Sequence, residues 1–259
     1  MSFCFIVASS DDRAHYLSRC VDCIKRTKYK SADVFLFYQG IDDIPQKEFF
    51  RGILTDTNLR GVFTPRYELM KKWGRDYDFV ILIDDDLFMY ENTSYDTSMA
   101  FLDSVKSAGA CCISMHSQGI KKEIEKMKDG CDFYNVWGGM VFPKRTIDLV
   151  LDYFKDKERD YSEDMFWLLA YVKGYDLYHD WTSSAIHVCN KKGKNGEPTG
   201  FRKMRFEKPY VPMMQEWYDS KVIWSKLHNC YTWKIKQIED LNDAGRIERM
   251  KCRKELKFI

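Results

Sequence analysis

Three consecutive acids, Asp84, Asp85 and Asp86, follow the apolar run Phe79–Ile83. Five consecutive apolar residues are typical of a buried strand in a parallel sheet. Adjacent carboxylates at the end of such a strand repel one another, so they favour a bound cation or another functional reason. Carboxylate oxygens suit Mg²⁺ or Mn²⁺, which usually bridge to phosphate oxygens. Ligands of open α/β sheets lie beyond the carboxyl ends of the strands, where the triplet falls. A solvated turn is the alternative interpretation.

A second acidic pair, Glu163 and Asp164, follows Ser162 at the predicted start of a helix. Acids in the first turn of a helix interact favourably with its dipole, so a structural cap explains one of them. In a pocket, an acid at this point would instead deprotonate or orient a hydroxyl acceptor. The residues alone leave both interpretations open.

Two histidines are candidates to complete a metal site begun by Asp86, because neutral imidazole is a common metal ligand. His187 lies in the predicted strand Ala185–Cys189, and His179 ends the predicted strand Tyr175–His179. A histidine beside apolar residues is more often packed in the core. The residues alone therefore do not choose between the two.

The segment Trp137-Gly138-Gly139 combines an aromatic ring with two glycines. Sugar rings stack on aromatic faces, and glycine allows a close approach to the backbone. The segment is thus a candidate sugar-binding wall, with a β-bulge at a sheet edge as the alternative.

The elements that must position these residues alternate between strands and helices. In the first half we predict strands Phe3–Ala8, Val34–Tyr38, Phe79–Ile83 and Ala110–Met115, with helices Ala14–Arg26, Pro65–Trp73 and Met99–Ser107. The second half adds a strand Phe133–Phe142, helices from Pro143 to about Phe154 and over Ser162–Val172, and the two short strands named above. This alternation predicts an α/β fold with a mostly parallel sheet.

Charge divides the chain into two parts. The 259 residues carry 41 Lys+Arg and 39 Asp+Glu, for a net charge of +2. Residues 188–259 hold 17 basic and 9 acidic side chains (net +8), whereas residues 1–187 hold 24 and 30 (net −6). An acidic part suits a metal, and a basic part suits an anionic partner. A solvated basic face is the alternative. We expect a catalytic domain over 1–190, with a basic loop and helical extension over 191–259 packed on it.

Composition excludes other classes of protein. A hydrophobic content of 45% is enough for a core, and no apolar run approaches the length of a membrane span. Met1–Ser9 lacks the basic region of a signal peptide. The nine cysteines therefore predict free thiols in the cytoplasm. Cys20 and Cys23 share one face of a predicted helix, which indicates core packing, with a redox or zinc pair as the alternative. The oligomeric state stays open.

The order of strand, acidic triplet, Gly-Gly strand, Glu-Asp helix and late histidine resembles the GT-A class of nucleotide-sugar glycosyltransferases, over roughly residues 3–190. The resemblance implies a Rossmann-like GT-A fold and sugar transfer from a nucleotide-sugar, with a UDP-sugar expected. It implies Mn²⁺ or Mg²⁺ held by Asp84, Asp86 and His187. It also implies that Asp164, with Glu163 beside it, contacts or deprotonates the acceptor.

The same resemblance implies a set of donor-binding residues. They are Ala8, Ser9, Asp11, Arg13, Arg66, Asp84, Asp85, Trp137, Gly138 and Gly139. The end of the first strand, Val7-Ala8-Ser9-Ser10, departs from the commonest form in the class, so the nucleobase stays open.

The compact size and basic tail are similar to phage enzymes that glycosylate hydroxymethylated pyrimidines in DNA, including the group related to the base J glucosyltransferase. This narrower resemblance implies a double-stranded DNA acceptor and, for a phage protein, the host cytoplasm. Phosphate contacts would come from Lys191, Lys192, Lys194, Arg202, Lys203 and Arg205. A glycan or protein acceptor is the alternative for a glycosyltransferase.

Two further classes of protein remain as alternatives. A nucleotidyltransferase also uses paired acids, but it would carry a glycine-rich loop where this chain has Ser9-Ser10-Asp11-Asp12-Arg13. A nucleic-acid-binding protein with an inactive α/β body would not need the acidic triplet.

Overall fold

The structure, a computed structural model, describes residues 1–58, 61–89, 95–115, 124–126, 139–156, 166–167, 169–170 and 173–187. The strands are Phe3–Ser10 (β1), Asp33–Gln39 (β2), Gly52–Asp56 (β3), Phe79–Asp84 (β4), Leu87–Met89 (β5), Ala108–Met115 (β6), Ile124–Lys126 (β7), Gly139–Pro143 (β8) and Asp176–His187 (β9). The α-helices are Ala14–Arg26 (α1), Phe63–Trp73 (α2), Tyr95–Ser104 (α3) and Lys144–Tyr153 (α4).

Over these described residues the strands form one nine-stranded sheet. Its order is β3-β2-β1-β4-β8-β6-β9-β5, and β7 pairs with β9 beside this path. Strands β1, β2, β3, β4, β6 and β9 run in one direction, whereas β5, β7 and β8 run in the other. The sheet is therefore mostly parallel, and β8 is an antiparallel strand inserted between β4 and β6.

The chain changes direction across the sheet next to β1. From β1 it builds outward through β2 and β3, and it then returns to place β4 on the other side of β1. The carboxyl ends of β1 and β4 therefore border the switch point of the sheet. In open α/β sheets this crevice is where ligands bind. The registers place Ala8 beside Asp84 there.

Helices cover both faces of the sheet. Alternate side chains of β1 and β4, such as Phe5 and Ile81, pack with α1 and α3 on one face. The intervening side chains, such as Ile6 and Leu82, pack with α2 and α4 on the other. Successive side chains of a strand point to opposite faces, so a strand buried on both faces is apolar throughout. This is why Phe79–Ile83 shows no polar alternation.

Much of the predicted secondary structure is confirmed. Helix α1 has the predicted bounds, and its buried side chains are the five that set the predicted period: Tyr16, Leu17, Cys20, Val21 and Ile24. The predicted strands of the first half are present, and each is longer by one or two residues at one or both ends. Helix α3 begins four residues before its predicted start and ends three before its predicted end. Cys111 and Cys112 are buried in the core.

One prediction of local structure needs correction. The two short strands predicted over Tyr175–His179 and Ala185–Cys189 are one strand, β9, because its backbone stays paired first with β6 and then with β5. Register shifts along the β6 pairing accommodate the polar middle of β9. The last four residues of the predicted strand Phe133–Phe142 belong to β8, and residues 133–138 lie outside the described residues. The prediction for Ser162–Val172 lies largely outside the described residues, although Phe166 and Trp167 are helical.

The stability of the fold should depend on the β4 core. Ile81 is fully buried, so replacing it with alanine leaves a cavity and should lower the free energy of unfolding by about 2–5 kcal/mol. Ile41 is 81% exposed, so Ile41→Ala is the matched control and should change it by less than about 0.5 kcal/mol. Urea unfolding of the three proteins measures the difference. Equal losses for the two variants would contradict the buried position of β4.

Candidate active site

The side chains of Asp84 and Asp85 point to different sides of the sheet. Asp84 is the last residue of β4, and its carboxylate pairs with Arg66 of α2. Asp85 lies toward α1 and is paired with Arg13 and Ser9. Because the two side chains pair with different partners, the repulsion between Asp84 and Asp85 is reduced, and each has its own cation.

Arg13 joins the end of β1 to two carboxylates of the triplet. Its Nε lies 2.9 Å from both Oδ1 and Oδ2 of Asp85, and its Nη2 also donates to Oδ1. The same Nη2 lies 2.9 Å from Oδ2 of Asp86. The Ser9 hydroxyl donates to Asp85 Oδ2 at 2.7 Å. One guanidinium therefore compensates two acids that are 2% and 5% exposed.

The pKa directions follow from burial and from these ion pairs. Burial raises the pKa of Asp85, and the adjacent Arg13 guanidinium opposes the shift. Burial lowers the pKa of Arg13, but the attraction of Asp85 and Asp86, with their hydrogen bonds, outweighs it and raises that pKa. Arg13 therefore stays a cation at any pH at which the protein is folded.

Arg66 is the second cation of the site. It lies on α2, is 2% exposed, and pairs with Asp84, whose side chain keeps 22% of its surface exposed. Of the three acids, Asp84 is thus the one that most reaches solvent. Asp84 ends β4 at the switch point, where open α/β sheets bind ligands, so its exposed part is a candidate ligand contact.

Asp11 fixes the loop that follows β2. Its carboxylate accepts hydrogen bonds from the backbone N–H of Ile41 (2.9 Å) and of Asp42 (3.2 Å). A Cβ on Gly40 would overlap this carboxylate, so glycine is required for the contact. Burial, together with the neighbouring Asp11, raises the pKa of the Tyr38 phenol. Sequence reasoning missed Gly40 and Tyr38, since Gln39-Gly40 indicated only the end of a strand.

Strand registers place three further predicted residues around the triplet. Ala8 pairs with Asp84 across β1 and β4. Gly139, the first residue of β8, pairs with Ile83 and lies buried against Leu87 and Ile113. The backbone of His187, at the end of β9, pairs with Leu87, the residue that follows Asp86. The sequence-distant segments 8–13, 84–87, 139 and 187 therefore meet at one end of the sheet.

The donor set of the site fits a hard divalent cation in part. Asp84 and Asp86 carry carboxylate oxygens, the ligands that Mg²⁺ and Mn²⁺ prefer, although Asp86 is only 5% exposed. Each carboxylate is paired with an arginine, so a cation would compete with or share these partners. Among the side chains that the structure describes, no group of three His, Cys, Asp or Glu converges as a metal site. A third ligand would have to come from outside the side chains that the structure describes.

The remaining predicted site residues lie outside the described residues. These are Glu163, Asp164, Trp137, Gly138, Lys191, Lys192, Lys194, Arg202, Lys203 and Arg205. The Cys20 and Cys23 thiols are described and free, and burial raises the pKa of both. A redox cysteine requires a lowered pKa, so the geometry favours the packing interpretation of this pair.

The fold and its site define an α/β protein with a Rossmann-like sheet and a charged crevice at the switch point, which confirms the GT-A fold prediction. The solved structure of S. aureus TarS 1–349 shares this fold, with a TM-score of 0.55 and 16% sequence identity. The match covers 72% of this chain and 60% of TarS 1–349, so the chain spans less than two thirds of that protein.

Two further structures of TarS 1–349 show the same likeness. The complex with UDP matches with a TM-score of 0.54, 16% identity and the same two coverages. The complex with UDP-GlcNAc matches with a TM-score of 0.54, 16% identity, and coverage of 72% of this chain and 58% of that one. No protein-family model and no curated protein sequence matches the chain. No helix within the described residues is long and apolar enough to cross a membrane.

The Asp11 contact should be sensitive to a single methyl group. Gly40→Ala should displace the Asp11 carboxylate from the two loop amides and lower the free energy of unfolding by about 0.5–1.5 kcal/mol. Gly139→Ala is the control, because the nearest atoms to its added Cβ lie 3.5 Å away, an ordinary contact. Chemical denaturation of both variants provides the comparison. If Gly40→Ala is as stable as Gly139→Ala, Asp11 does not hold the loop as described.

Proposed function

We propose that this protein is a glycosyltransferase that transfers a sugar from a nucleotide-sugar, with a UDP-sugar as the expected donor. One observation carries the proposal. The acidic triplet lies at the switch point of the same fold as TarS, a glycosyltransferase whose structures include complexes with UDP and UDP-GlcNAc. Three acids with two arginines at a ligand-binding crevice suit a phosphate-bearing donor and a cation better than an inert surface.

Asp84 and Asp86 are the residues proposed to hold Mn²⁺ or Mg²⁺. The side chain of Asp84 keeps 22% of its surface exposed and is the proposed entry point, whereas Asp86 is buried and pairs with Arg13. When bound, the cation supplies positive charge against the nucleoside diphosphate that leaves. Arg66 remains buried behind Asp84 and orients its carboxylate toward the crevice.

His187 is the proposed third ligand. The pairing of its backbone with Leu87 places it one residue from Asp86, which supports this role. The backbone of His179, by contrast, pairs with Cys112 and Glu125, farther along β9. Sequence reasoning left the choice between the two histidines open, and strand register favours His187.

The donor is proposed to lie along the carboxyl ends of β1 and β4. Ala8, Ser9, Asp11 and Arg13 border one side of this position, and Gly139 borders the other. Trp137 and Gly138 would extend the wall on the sugar side. Asp164, with Glu163 beside it, is proposed to accept the proton of the attacking hydroxyl group, because a carboxylate near the acceptor can act as a general base.

Donor turnover tests the proposal directly. Incubation with UDP- and GDP-sugars and Mn²⁺ should release the nucleoside diphosphate from one donor, and EDTA should abolish the release. Asp86→Ala should lower kcat at least about 10²-fold, because it removes a ligand of the cation that would stabilise the developing negative charge. The assay measures free nucleoside diphosphate with each donor.

Asp152→Ala is the matched control for this assay. Asp152 lies on α4, and its exposed side chain pairs with Arg75. The same substitution there should leave turnover within about twofold of the wild type. Metal-dependent turnover that survives Asp86→Ala would refute the assigned cation site. No turnover with any donor and acceptor would instead favour a nucleic-acid-binding protein with an inactive body.

We propose double-stranded DNA that carries 5-hydroxymethylpyrimidine as the acceptor. The support is the net charge of +8 on residues 188–259, which suits a polyanion, together with the resemblance to phage DNA glycosyltransferases. The target base would have to leave the stack to reach a donor held in the crevice. The free thiols among the described cysteines accord with a cytoplasmic enzyme, in the host if a phage encodes it.

Salt dependence tests this acceptor. If Lys191, Lys192, Lys194, Arg202, Lys203 and Arg205 neutralise six phosphates, the rate at subsaturating DNA should fall about 10³-fold between 50 and 200 mM salt. Replacing the three lysines with alanine should reduce the slope of this dependence by about three. Release of nucleoside diphosphate to water serves as the control. A rate that does not change with salt would favour a glycan or protein acceptor.

A further inference from the structure

We propose that Arg13 is the counter-ion of the acidic triplet when no metal is bound. Its guanidinium pairs with Asp86 until a divalent cation binds that carboxylate. Asp85, together with Ser9, holds Arg13 in position throughout. Asp85 is then a positioning residue that acts through Arg13, in place of the direct donor contact expected from the sequence. The inference rests on the proposed function at one point only, which is the role of Asp86 as a ligand of a divalent cation.

The hydrogen bonds of Arg13 are unequal. Its Nε and Nη2 both engage Asp85, and the Nε distances to the two carboxylate oxygens are 2.9 Å each. Only Nη2 reaches Asp86, at 2.9 Å. Two parallel N–H bonds to one carboxylate form the stronger, geometrically specific pair. Arg13 can therefore release Asp86 without leaving Asp85.

Asp85 is placed as an anchor. It is 2% exposed, it accepts the Ser9 hydroxyl group at 2.7 Å, and its other contacts run to Arg13. Ser9 belongs to β1, so the anchor is fixed by a strand in the middle of the sheet. A ligand in the crevice would have to displace Arg13 before it could reach the carboxylate of Asp85.

Charge explains why Arg13 is needed when no cation is bound. Two buried carboxylates next to each other repel strongly, and removing the cation of a buried ion pair leaves uncompensated charge. Arg13 supplies one positive charge to both acids. When a divalent cation binds Asp86, Arg13 stays as the partner of Asp85, so each acid then has its own cation.

The experiment uses the full chain freed of metal by chelation, with no nucleotide-sugar present. The variants are Arg13→Gln, Asp85→Asn, the double variant and Arg13→Lys, with Arg75→Gln as the control. Arg75 pairs with Asp148 and Asp152 on the exposed surface of α4. Thermal unfolding without and with Mn²⁺ gives the midpoints, and electron paramagnetic resonance of free Mn²⁺ gives the affinity.

Without metal, Arg13→Gln should lower the unfolding midpoint by about 6 °C or more, and Mn²⁺ should restore most of the loss. Arg13→Lys should lower it less, because lysine keeps the charge but not the forked geometry. Adding Asp85→Asn to Arg13→Gln should raise the midpoint part of the way again, since it removes one of the two acids that Arg13 compensated. The double variant lacks the charges of both Arg13 and Asp85, so its unfolding can be measured even if Arg13→Gln does not fold. Arg75→Gln should match the wild type within about 2 °C.

Mn²⁺ affinity tests the positioning role of Asp85. Arg13→Gln should tighten Mn²⁺ binding about tenfold, because the competitor for Asp86 is gone. Asp85→Asn alone should weaken it, because Arg13 loses its anchor and stays on Asp86. In the Arg13→Gln background the same change should have little effect. A purely electrostatic or structural role of Asp85 would weaken binding by the same factor in both backgrounds, and that result would overturn the proposal.

Two other results would also overturn it. One is a metal-free Arg13→Gln variant as stable as the wild type, and the other is no Mn²⁺ binding by the wild type and by Arg13→Gln. None of these measurements depends on sugar transfer, because they report only unfolding midpoints and Mn²⁺ affinity. A protein that shows the expected shifts but turns over no nucleotide-sugar would refute the proposed function and leave this inference standing.

Discussion

Mutual repulsion among three carboxylates is the constraint around which the crevice is organised. Asp84, Asp85 and Asp86 follow a strand buried on both faces, where water cannot screen them all. The repulsion is reduced because Asp84 and Asp85 point to opposite faces of the sheet. Each of them also pairs with an arginine from a flanking helical segment. The positions of Arg13 after β1 and of Arg66 in α2 thus follow from the same electrostatic requirement.

This arrangement explains how a strongly acidic strand end can exist in a stable protein before any ligand arrives. The arginines compensate the acids, and the crevice keeps an exposed edge of Asp84 toward solvent. A site that is ordered without its ligand loses little conformational entropy when the ligand binds. The fold supplies the position of the crevice, whereas the chemistry belongs to these particular side chains.

Local patterns predicted the elements that depend on local sequence. The 3.6-residue period of apolar residues predicted α1 and its buried face. The apolar run Phe79–Ile83 predicted β4, with the acidic triplet at its end. Strand β3 was missed, because Gly52–Asp56 is only half-buried and shows neither a long apolar run nor a clear alternation. The antiparallel insertion of β8 and the continuity of β9 depend on pairing between distant segments, which no local pattern encodes. Likewise the triplet was visible, but its pairing with Arg13 depended on β1 and β4 becoming neighbours.

The separation of these partners along the chain has a consequence for folding. Ser9 and Arg13 lie 76 and 72 residues from Asp85. Their contacts cannot form until β4 has docked beside β1, which closes a loop that contains α1, β2, β3 and α2. Until β4 has docked, the carboxylates must be hydrated by water. Contacts between residues this far apart in the chain also form slowly. The charged crevice is therefore completed late, and a ribosome must release the chain well past β4 before the site can assemble.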